Sequence, residues 1–245
     1  MTTVLSGAQY DAELASAGAA FAGFAGSLDS RAAVPSCPGW DVQQLVGHLG
    51  GVHAWAAGVV RGSGPKAPRP EPEGELAEWY LAQLAVLQQA LADTDPQQSA
   101  WTFNGAQPVA FWSRRQAHET AMHLCDLQLA AGREPTYSQA LAADAGSEVF
   151  DVMTPRMHAG SPVAVAGEIA LISSDTGDRW LVRPSSTPGL VDYRIGAADG
   201  APVVRATAPA QELATGLWRR TPISAWQIDG DRAVLEAFLD APLTP

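Results

Sequence analysis

The sequence predicts an α + α/β protein of two domains: a helical domain over residues 1–155 and a small α+β domain over residues 156–245. Apolar residues recur at intervals of three and four through the first half of the chain, as they do on the buried face of a helix. Beyond about residue 163 the pattern changes to short β-like runs separated by turn signals. This change of period places the domain boundary between the two regions.

The first helix is predicted from a one-sided apolar stripe and from its start signal. Ser6 and Gln9 have the spacing of a capping box, in which each side chain binds a backbone amide of the first turn. The apolar residues that follow are Tyr10, Leu14, Ala17, Phe21 and Phe24.

The second helix is predicted over residues 42–60. Asp41 and Gln44 form a second capping box, and Trp40 and Leu45 flank it as a hydrophobic staple. We interpret Trp40 as this staple rather than as a platform for substrate.

Three further helices are predicted before the change of period. They cover Leu76 to Leu91, Val109 to Ala130 and Ala140 to Val152, the last ending before Pro155. The connection between the first two contains Asn104-Gly105 and is expected to be a loop.

The second domain is predicted from β-like runs and two short helices. The candidate strands are 163–165, 169–172, 180–182, 191–195, 203–207 and 226–228, and the helices are 213–218 and 233–239.

Charge and composition exclude several classes of function. The chain has 26 acidic and 15 basic residues and a formal net charge of -11, so its average field repels nucleic acid and anionic lipid. Neither a secretion signal nor an apolar run of membrane-spanning length is present, which favours a cytoplasmic protein. Cys37 and Cys125 form neither a disulfide framework nor a C-x-x-C motif, which fits a reducing compartment, and we interpret both as buried apolar thiols.

The predicted fourth helix carries the polar residues that are the best candidates for binding a metal ion. His118 and His123 are five residues apart, about 140° around the helix axis, so they cannot hold one ion together. Glu119 and His123 are four apart, and their side chains can converge. An ordinary side-chain pair explains this spacing equally well.

A third ligand is available on the predicted second helix. His48 shares a face with Leu45, Val52 and Trp55 and therefore points toward the bundle interior, whereas His53 lies on a different face. Two histidines and one carboxylate form a known catalytic site for zinc and other divalent ions. A buried histidine with a purely structural role is the alternative.

Two segments together resemble the mycothiol-dependent maleylpyruvate isomerase family. The first runs from Val34-Pro35-Ser36-Cys37-Pro38-Gly39-Trp40-Asp41 to His48-Leu49, and the second from Arg115 through Glu119 to Asp126. More loosely, the segment 217–231 is similar to the family's second domain, a sterol-carrier-like α+β module. Here the chain has Arg219 where the family often has glycine.

The resemblance implies a DinB-like four-helix bundle with a divalent metal, often zinc, in its core. Carried over residue by residue, its ligands are His48, Glu119 and His123. Relatives in the wider superfamily use three histidines, so Glu119 is the isomerase-like feature. The family also implies mycothiol as a cosubstrate, and hence a small-molecule thiol and a small electrophile as partners.

The expected activity is therefore thiol transfer or cis–trans isomerisation, with supporting roles for four other residues. Arg220 is a candidate catalytic and cofactor-binding residue, because its guanidinium can pair with a carboxylate. Asp126 can orient an imidazole, and Trp55 and Trp112 can line the cofactor pocket. The alternative for Arg220 is a solvated cation, and the alternative for Asp126 is a surface carboxylate. The alternative for the two tryptophans is core packing.

Two other functions fit the same residues. A metal-dependent hydrolase of a thiol conjugate would act without added thiol, and a non-catalytic binding protein would hold a small molecule without turnover. A DNA-repair role is disfavoured by the charge. We expect a monomer or a weak homodimer.

Overall fold

The computed structural model describes residues 5–157, 165–187, 190–196 and 200–245. By their internal contacts the described residues divide into two units, one of residues 5–136 and one that begins at residue 137. The first unit is helical and the second contains a mixed sheet, so the predicted fold class is confirmed. The domain boundary expected after residue 155 stays a prediction.

The helical unit is built from four long helices, which form the predicted bundle. Helix α1 packs on α3 and α4, and α2 packs on the same two helices. The core between these helices is filled by leucine and aromatic side chains with little or no exposed surface. The helices are α1 Gly7–Ser27, α2 Val42–Val60, α3 Leu76–Asp93 and α4 Ala110–Ala130.

Both predicted capping boxes are present. The side chain of Ser6 accepts from the amide of Gln9, and that of Asp41 accepts from the amide of Gln44. Each glutamine in turn accepts from the backbone amide of its cap. These bonds satisfy amides that the first helical turn leaves without partners, which explains why both helix starts were readable from sequence.

The connection between α3 and α4 contains a short hairpin that the sequence prediction treated as a loop. Strands β1 Ser99–Thr102 and β2 Gly105–Pro108 pair antiparallel, with Thr102 opposite Gly105. Gly105 has a φ of 94°, in the left-handed region that glycine tolerates. The Asn104-Gly105 pair between two short runs was the signal that marks such a turn.

The second unit begins with a longer helical segment than predicted. Helix α5 Gln139–Glu148 continues through a π-helical stretch, Val149–Met153, into the short helix α6 Thr154–Met157. The expectation that this helix ends before Pro155 is therefore wrong. Pro155 lies two residues after the π-helical stretch, a local irregularity of the kind that often accompanies a proline within a helical segment.

A five-stranded sheet forms the rest of this unit, in the order β5-β4-β3-β6-β7. Only β3 and β6 pair in parallel among its described strands. The indole N–H of Trp180 on β4 donates to Ser147 on α5, across 3.0 Å. The elements are β3 Ile169–Ser173, β4 Arg179–Pro184, β5 Val191–Ile195, β6 Val204–Ala208, α7 Ala210–Leu217, β7 Gln227–Gly230 and α8 Arg232–Asp240.

Five of the predicted strands and the helix predicted at 233–239 thus occur within one or two residues of their expected positions, whereas α7 begins three residues before the predicted helix 213–218. The strand expected at 163–165 falls mostly on residues 163 and 164, which lie outside the described residues. Among the helices that the structure describes, none has the length and apolar character needed to cross a bilayer.

Candidate metal centre

Helices α2 and α4 bring the three predicted ligands together. Oε1 of Glu119 lies 3.6 Å from Nε2 of His48 and 3.5 Å from Nε2 of His123. The two imidazole rings are 5.2 Å apart between centroids, and one ligand atom from each of the three residues lies within 4.8 Å of the others. The geometry therefore places two nitrogens and one oxygen around a common point.

The three side chains remain accessible to a small molecule. Their exposed fractions are 32% for His48, 17% for Glu119 and 11% for His123. Helix α4 supplies two of them because residues four apart share a face, and α2 supplies the third because its His48 face packs toward α4. The cluster is thus a partly open site at the inner surface of the bundle.

Arg115, one turn before Glu119 on α4, holds the other oxygen of this carboxylate. Its guanidinium pairs with Oε2 of Glu119. Burial by itself raises the pKa of Glu119, but the charge of Arg115 and the hydrogen bonds from His123 and His48 bring that pKa well below its usual range. Glu119 is therefore a carboxylate with Oε1 facing both histidines.

Asp126 holds His123 from the opposite side. Nδ1 of His123 donates to Oδ2 of Asp126 across 2.8 Å, and this bond leaves Nε2 facing Glu119. Burial lowers the pKa of His123, but the bonds to Asp126 and Glu119 outweigh it and raise the pKa to about 9. Asp126 is fully buried, so the alternative of a surface carboxylate does not apply.

The loop before α2 supplies two further donors to Asp126. The hydroxyl of Ser36 donates to Oδ1 across 2.6 Å, and the thiol of Cys37 lies 3.4 Å from Oδ2. Cys37 is only half-buried, and the carboxylate of Asp126 lies beside its thiol. The interpretation of this thiol as a buried apolar group is therefore wrong. Cys125 is buried, as expected.

Trp40, from the same loop, packs against the first ligand. Its ring lies 4.9 Å from that of His48 between centroids, at an angle of 59°. The side chain that we interpreted only as a helix staple therefore also lies against the site. The loop of residues 34–41 touches both halves of the cluster, His48 through Trp40 and His123 through Asp126.

The donor set fits a divalent cation such as zinc. Ligands about 2.0 to 2.1 Å from a tetrahedral ion lie about 3.4 Å apart, close to the distances of 3.5 and 3.6 Å that separate Glu119 from the two histidines. Each ligand of α4 is held by a partner on its far side, an arrangement typical of metal sites. An overlapping group, Cys37, His123 and Asp126, also has ligand atoms within 4.8 Å of one another, but its atoms already bond to each other.

The other two described histidines lie elsewhere. His118 is buried beside the ring of Tyr10, which lies 6.3 Å away. His53 is fully buried, with Nδ1 2.9 Å from Oε1 of Gln116 and Nε2 3.2 Å from the hydroxyl of Tyr80. Burial lowers the pKa of His53 to about 4, so this imidazole is neutral. Helical geometry had separated both from the site.

Trp55 and Trp112 lie in an aromatic cluster between α2, α4 and the hairpin. Their rings are 5.2 Å apart, and both indole N–H groups donate to backbone carbonyls, of Pro65 and Trp101 respectively. Trp112 has no exposed surface, whereas Trp55 has Arg69 over its ring at 4.9 Å. The roles predicted for them in cofactor binding stay predictions.

Arg220 lies in the second unit, on the rim of a cavity of about 520 Å³ at α7 and α8. Its guanidinium donates to the carbonyl of Trp218 across 2.9 Å. The neighbouring Arg219 has a φ of 57°, a left-handed conformation that favours glycine. This backbone conformation explains why glycine would suit the position, where the resembling family often has it. The catalytic and cofactor-binding roles of Arg220 stay predictions.

Sequence reasoning missed Arg115 and Ser36 as parts of the site. Arg115 was in the quoted motif, and its spacing of four from Glu119 is a recognised ion-pair spacing. Ser36 also lies in a segment that resembles the family, but no local spacing connects it to Asp126, which it meets across 90 residues of chain.

Comparisons with known proteins bear on the family and the fold of the chain. Residues 12–128 match the family model described as mycothiol maleylpyruvate isomerase N-terminal domain. The crystal structure of the mycothiol-dependent maleylpyruvate isomerase superposes with a TM-score of 0.64 at 13% identity, covering 92% of this chain and 93% of that one. A histidine-to-alanine mutant of that isomerase gives 0.60 at 13% identity, over 86% and 88%. None of the curated proteins is a significant match. At this identity the likeness establishes a shared fold.

Proposed function

We propose that this chain, whose residues 12–128 belong to the mycothiol maleylpyruvate isomerase N-terminal domain family, is a metal-dependent enzyme that uses mycothiol on a small electrophile. The observation that carries the proposal is the convergence of His48, Glu119 and His123 from two helices. Cis–trans isomerisation is the first reaction to test, and thiol transfer is the second.

In this proposal the three side chains hold one divalent cation, with zinc as the leading candidate. When bound, such an ion lowers the pKa of a coordinated thiol, so that a thiolate nucleophile exists at neutral pH. Arg115 and Asp126 keep Glu119 and His123 aimed inward. The exposed fraction of His48 leaves an approach for the thiol.

The thiolate then acts on an activated double bond. Its sulfur forms a C–S bond to one alkene carbon, and the π electrons move to the conjugated carbonyl group. The former double bond is now single and rotates. When the electrons return, the C–S bond breaks, the trans alkene forms and the thiolate is recovered. In a transferase, the adduct is protonated at carbon and released instead.

Residues outside the cluster are proposed to hold the two organic partners. Arg220 would pair with a carboxylate of the substrate or cosubstrate, for which its planar guanidinium is suited. Trp55 is the more accessible of the two tryptophans proposed to line the cofactor pocket, and Trp112 supports it from behind.

The test combines elemental analysis with thiol dependence. The purified protein should contain about one equivalent of a divalent metal, and its reaction with a maleylpyruvate-like cis-alkene should need both this metal and mycothiol. Removal of the metal by a chelator should abolish the reaction, and zinc should restore it. The same assay on a mycothiol conjugate without free thiol detects a hydrolase.

Variants connect this activity to the cluster. E119Q should lose metal and activity together, whereas E78Q, the same change at an exposed glutamate of α3, should retain both. Full activity of the metal-depleted protein would contradict the proposal. A metal-loaded protein without turnover on any electrophile would favour a binding protein.

A further inference from the structure

We propose that Arg115 makes the metal centre selective for an anionic incoming ligand, by offsetting the negative charge of Glu119. This inference rests on the proposed function, because it takes a divalent cation to be held by His48, Glu119 and His123. It adds a specificity-determining residue that touches neither the cation nor the thiol.

The position of Arg115 is unusual for its side chain. It is 2% exposed, although arginine is rarely buried unless it is paired. Its guanidinium binds Oε2 of Glu119, while Oε1 of the same carboxylate faces the two histidines. The positive charge therefore lies beside the carboxylate oxygen of Glu119 that does not face the two histidines.

The charge of the donor set follows from this pairing. Arg115 offsets the negative charge of Glu119, the carboxylate of Asp126 adds a negative charge behind His123, and a metal-bound imidazole is neutral. A divalent cation held by these donors keeps more of its positive charge for a further ligand than it would beside an unpaired carboxylate. Because charges interact strongly in a partly buried site, this excess favours an anion such as a thiolate over a neutral ligand.

The positive charge of Arg115 favours an anionic ligand but disfavours binding of the cation itself. A buried guanidinium repels a divalent ion, so electrostatics gives Arg115 no role in tightening metal binding. Its hydrogen bond to Glu119 could still orient that ligand. The two roles predict different results when the charge is removed: a positioning role weakens every ligand, whereas a charge role weakens only anions.

The experiment uses the full chain loaded with Co²⁺, whose visible absorption reports added ligands. Azide serves as the anionic probe and imidazole as the neutral probe, and each is titrated to obtain a dissociation constant. R115Q removes the charge but keeps a hydrogen-bond donor, and R115K keeps the charge. R114Q is the matched control, since Arg114 points about 100° away around α4.

R115Q should weaken azide binding by about ten- to a hundredfold and leave imidazole binding within about threefold of wild type. It should bind Co²⁺ at least as tightly as wild type, while R115K and R114Q should retain azide binding. If R115Q does not fold, R115M removes the same charge with an apolar chain of similar length.

Equal losses of azide and imidazole in the charge-removing variant, or unchanged azide binding, would overturn the inference and leave the proposed function intact. Failure of the wild-type protein to bind Co²⁺ would overturn the metal centre itself, and this inference with it.

Discussion

Nδ1 of His123 lies 2.8 Å from Oδ2 of Asp126, a carboxylate with no exposed surface. Because a carboxylate only accepts, the imidazole must donate through Nδ1, and Nε2 remains for a metal. The orientation of His123, a proposed metal ligand, is therefore set by a residue three positions further along the same helix.

Replacing Asp126 should weaken metal binding. D126N keeps an oxygen that can accept from His123 but removes the charge, and changes of this kind typically cost about 10- to 100-fold in metal affinity. S36A removes only the donor to Asp126 and should cost less. Zinc affinities can be measured by competition with a chromophoric chelator. Zinc binding by D126N as tight as that of the wild type would disprove this role.

Metal binding should release a proton at neutral pH. Without metal, the pKa of His123 is about 9, so this imidazole is protonated at pH 7, whereas a metal ligand must be neutral. Zinc binding at pH 7 should therefore release about one proton from His123, and affinity should rise with pH until about 9. Calorimetric titrations in buffers of different ionisation enthalpy measure this number.

A repeat of those titrations at pH 9.5 provides the control, because His123 is then mostly neutral before metal arrives. The proton release should largely disappear. Release that stays the same at both pH values would show that another group titrates.

Acid should destabilise the bundle through His53. Its folded pKa is about 4, against about 6.5 in an unfolded chain, so the unfolded state binds more protons between these values. The stability is complete above pH 6.5, falls as the pH drops, and loses up to about 3 kcal/mol by pH 4. Between pH 7 and pH 5 the loss from this group should be about 2 kcal/mol.

Urea unfolding of the metal-free protein and of H53Q at both pH values isolates this contribution. Other groups titrate equally in both proteins, so H53Q should show the smaller acid-induced loss of unfolding free energy. Parallel losses in the two proteins would exclude His53 as the cause.

Two adjacent glycines of α2 should respond oppositely to alanine. A Cβ at Gly50 would overlap the indole ring of Trp79 on α3, whereas a Cβ at Gly51 would lie 3.5 Å from its nearest neighbour, the carbonyl oxygen of Pro70. G50A should therefore cost about 1 to 3 kcal/mol through overpacking. G51A should gain up to about 1 kcal/mol from helix propensity.

Thermal or denaturant unfolding of the two variants checks this difference, and each serves as the control for the other. Because α2 carries His48, G50A should also weaken zinc binding. Equal stabilities would mean that α2 and α3 are less closely packed at this point than the structure shows.

Local signals in the sequence were sufficient for most of the helical unit. The capping boxes at Ser6 and Asp41 and the apolar periodicity identified the helices, because caps and periodicity depend on residues within a few positions of each other. The same short range made Glu119 and His123 a recognisable pair. The hairpin at Asn104-Gly105 carried a comparable signal, but its strands are only four residues long.

What the sequence by itself determined, then, is where the helices begin, which faces they bury and which polar residues share a turn. Only the tertiary structure decided that His48 meets Glu119, that Ser36 and Cys37 reach Asp126, and that Arg115 is buried beside Glu119. The physical reason is range. Backbone capping and helical period act over three or four residues, whereas the packing of α2 and the loop before it on α4 joins side chains up to 90 residues apart. For Asp126 this packing turned one more acidic residue of a helix into the buried partner that orients His123.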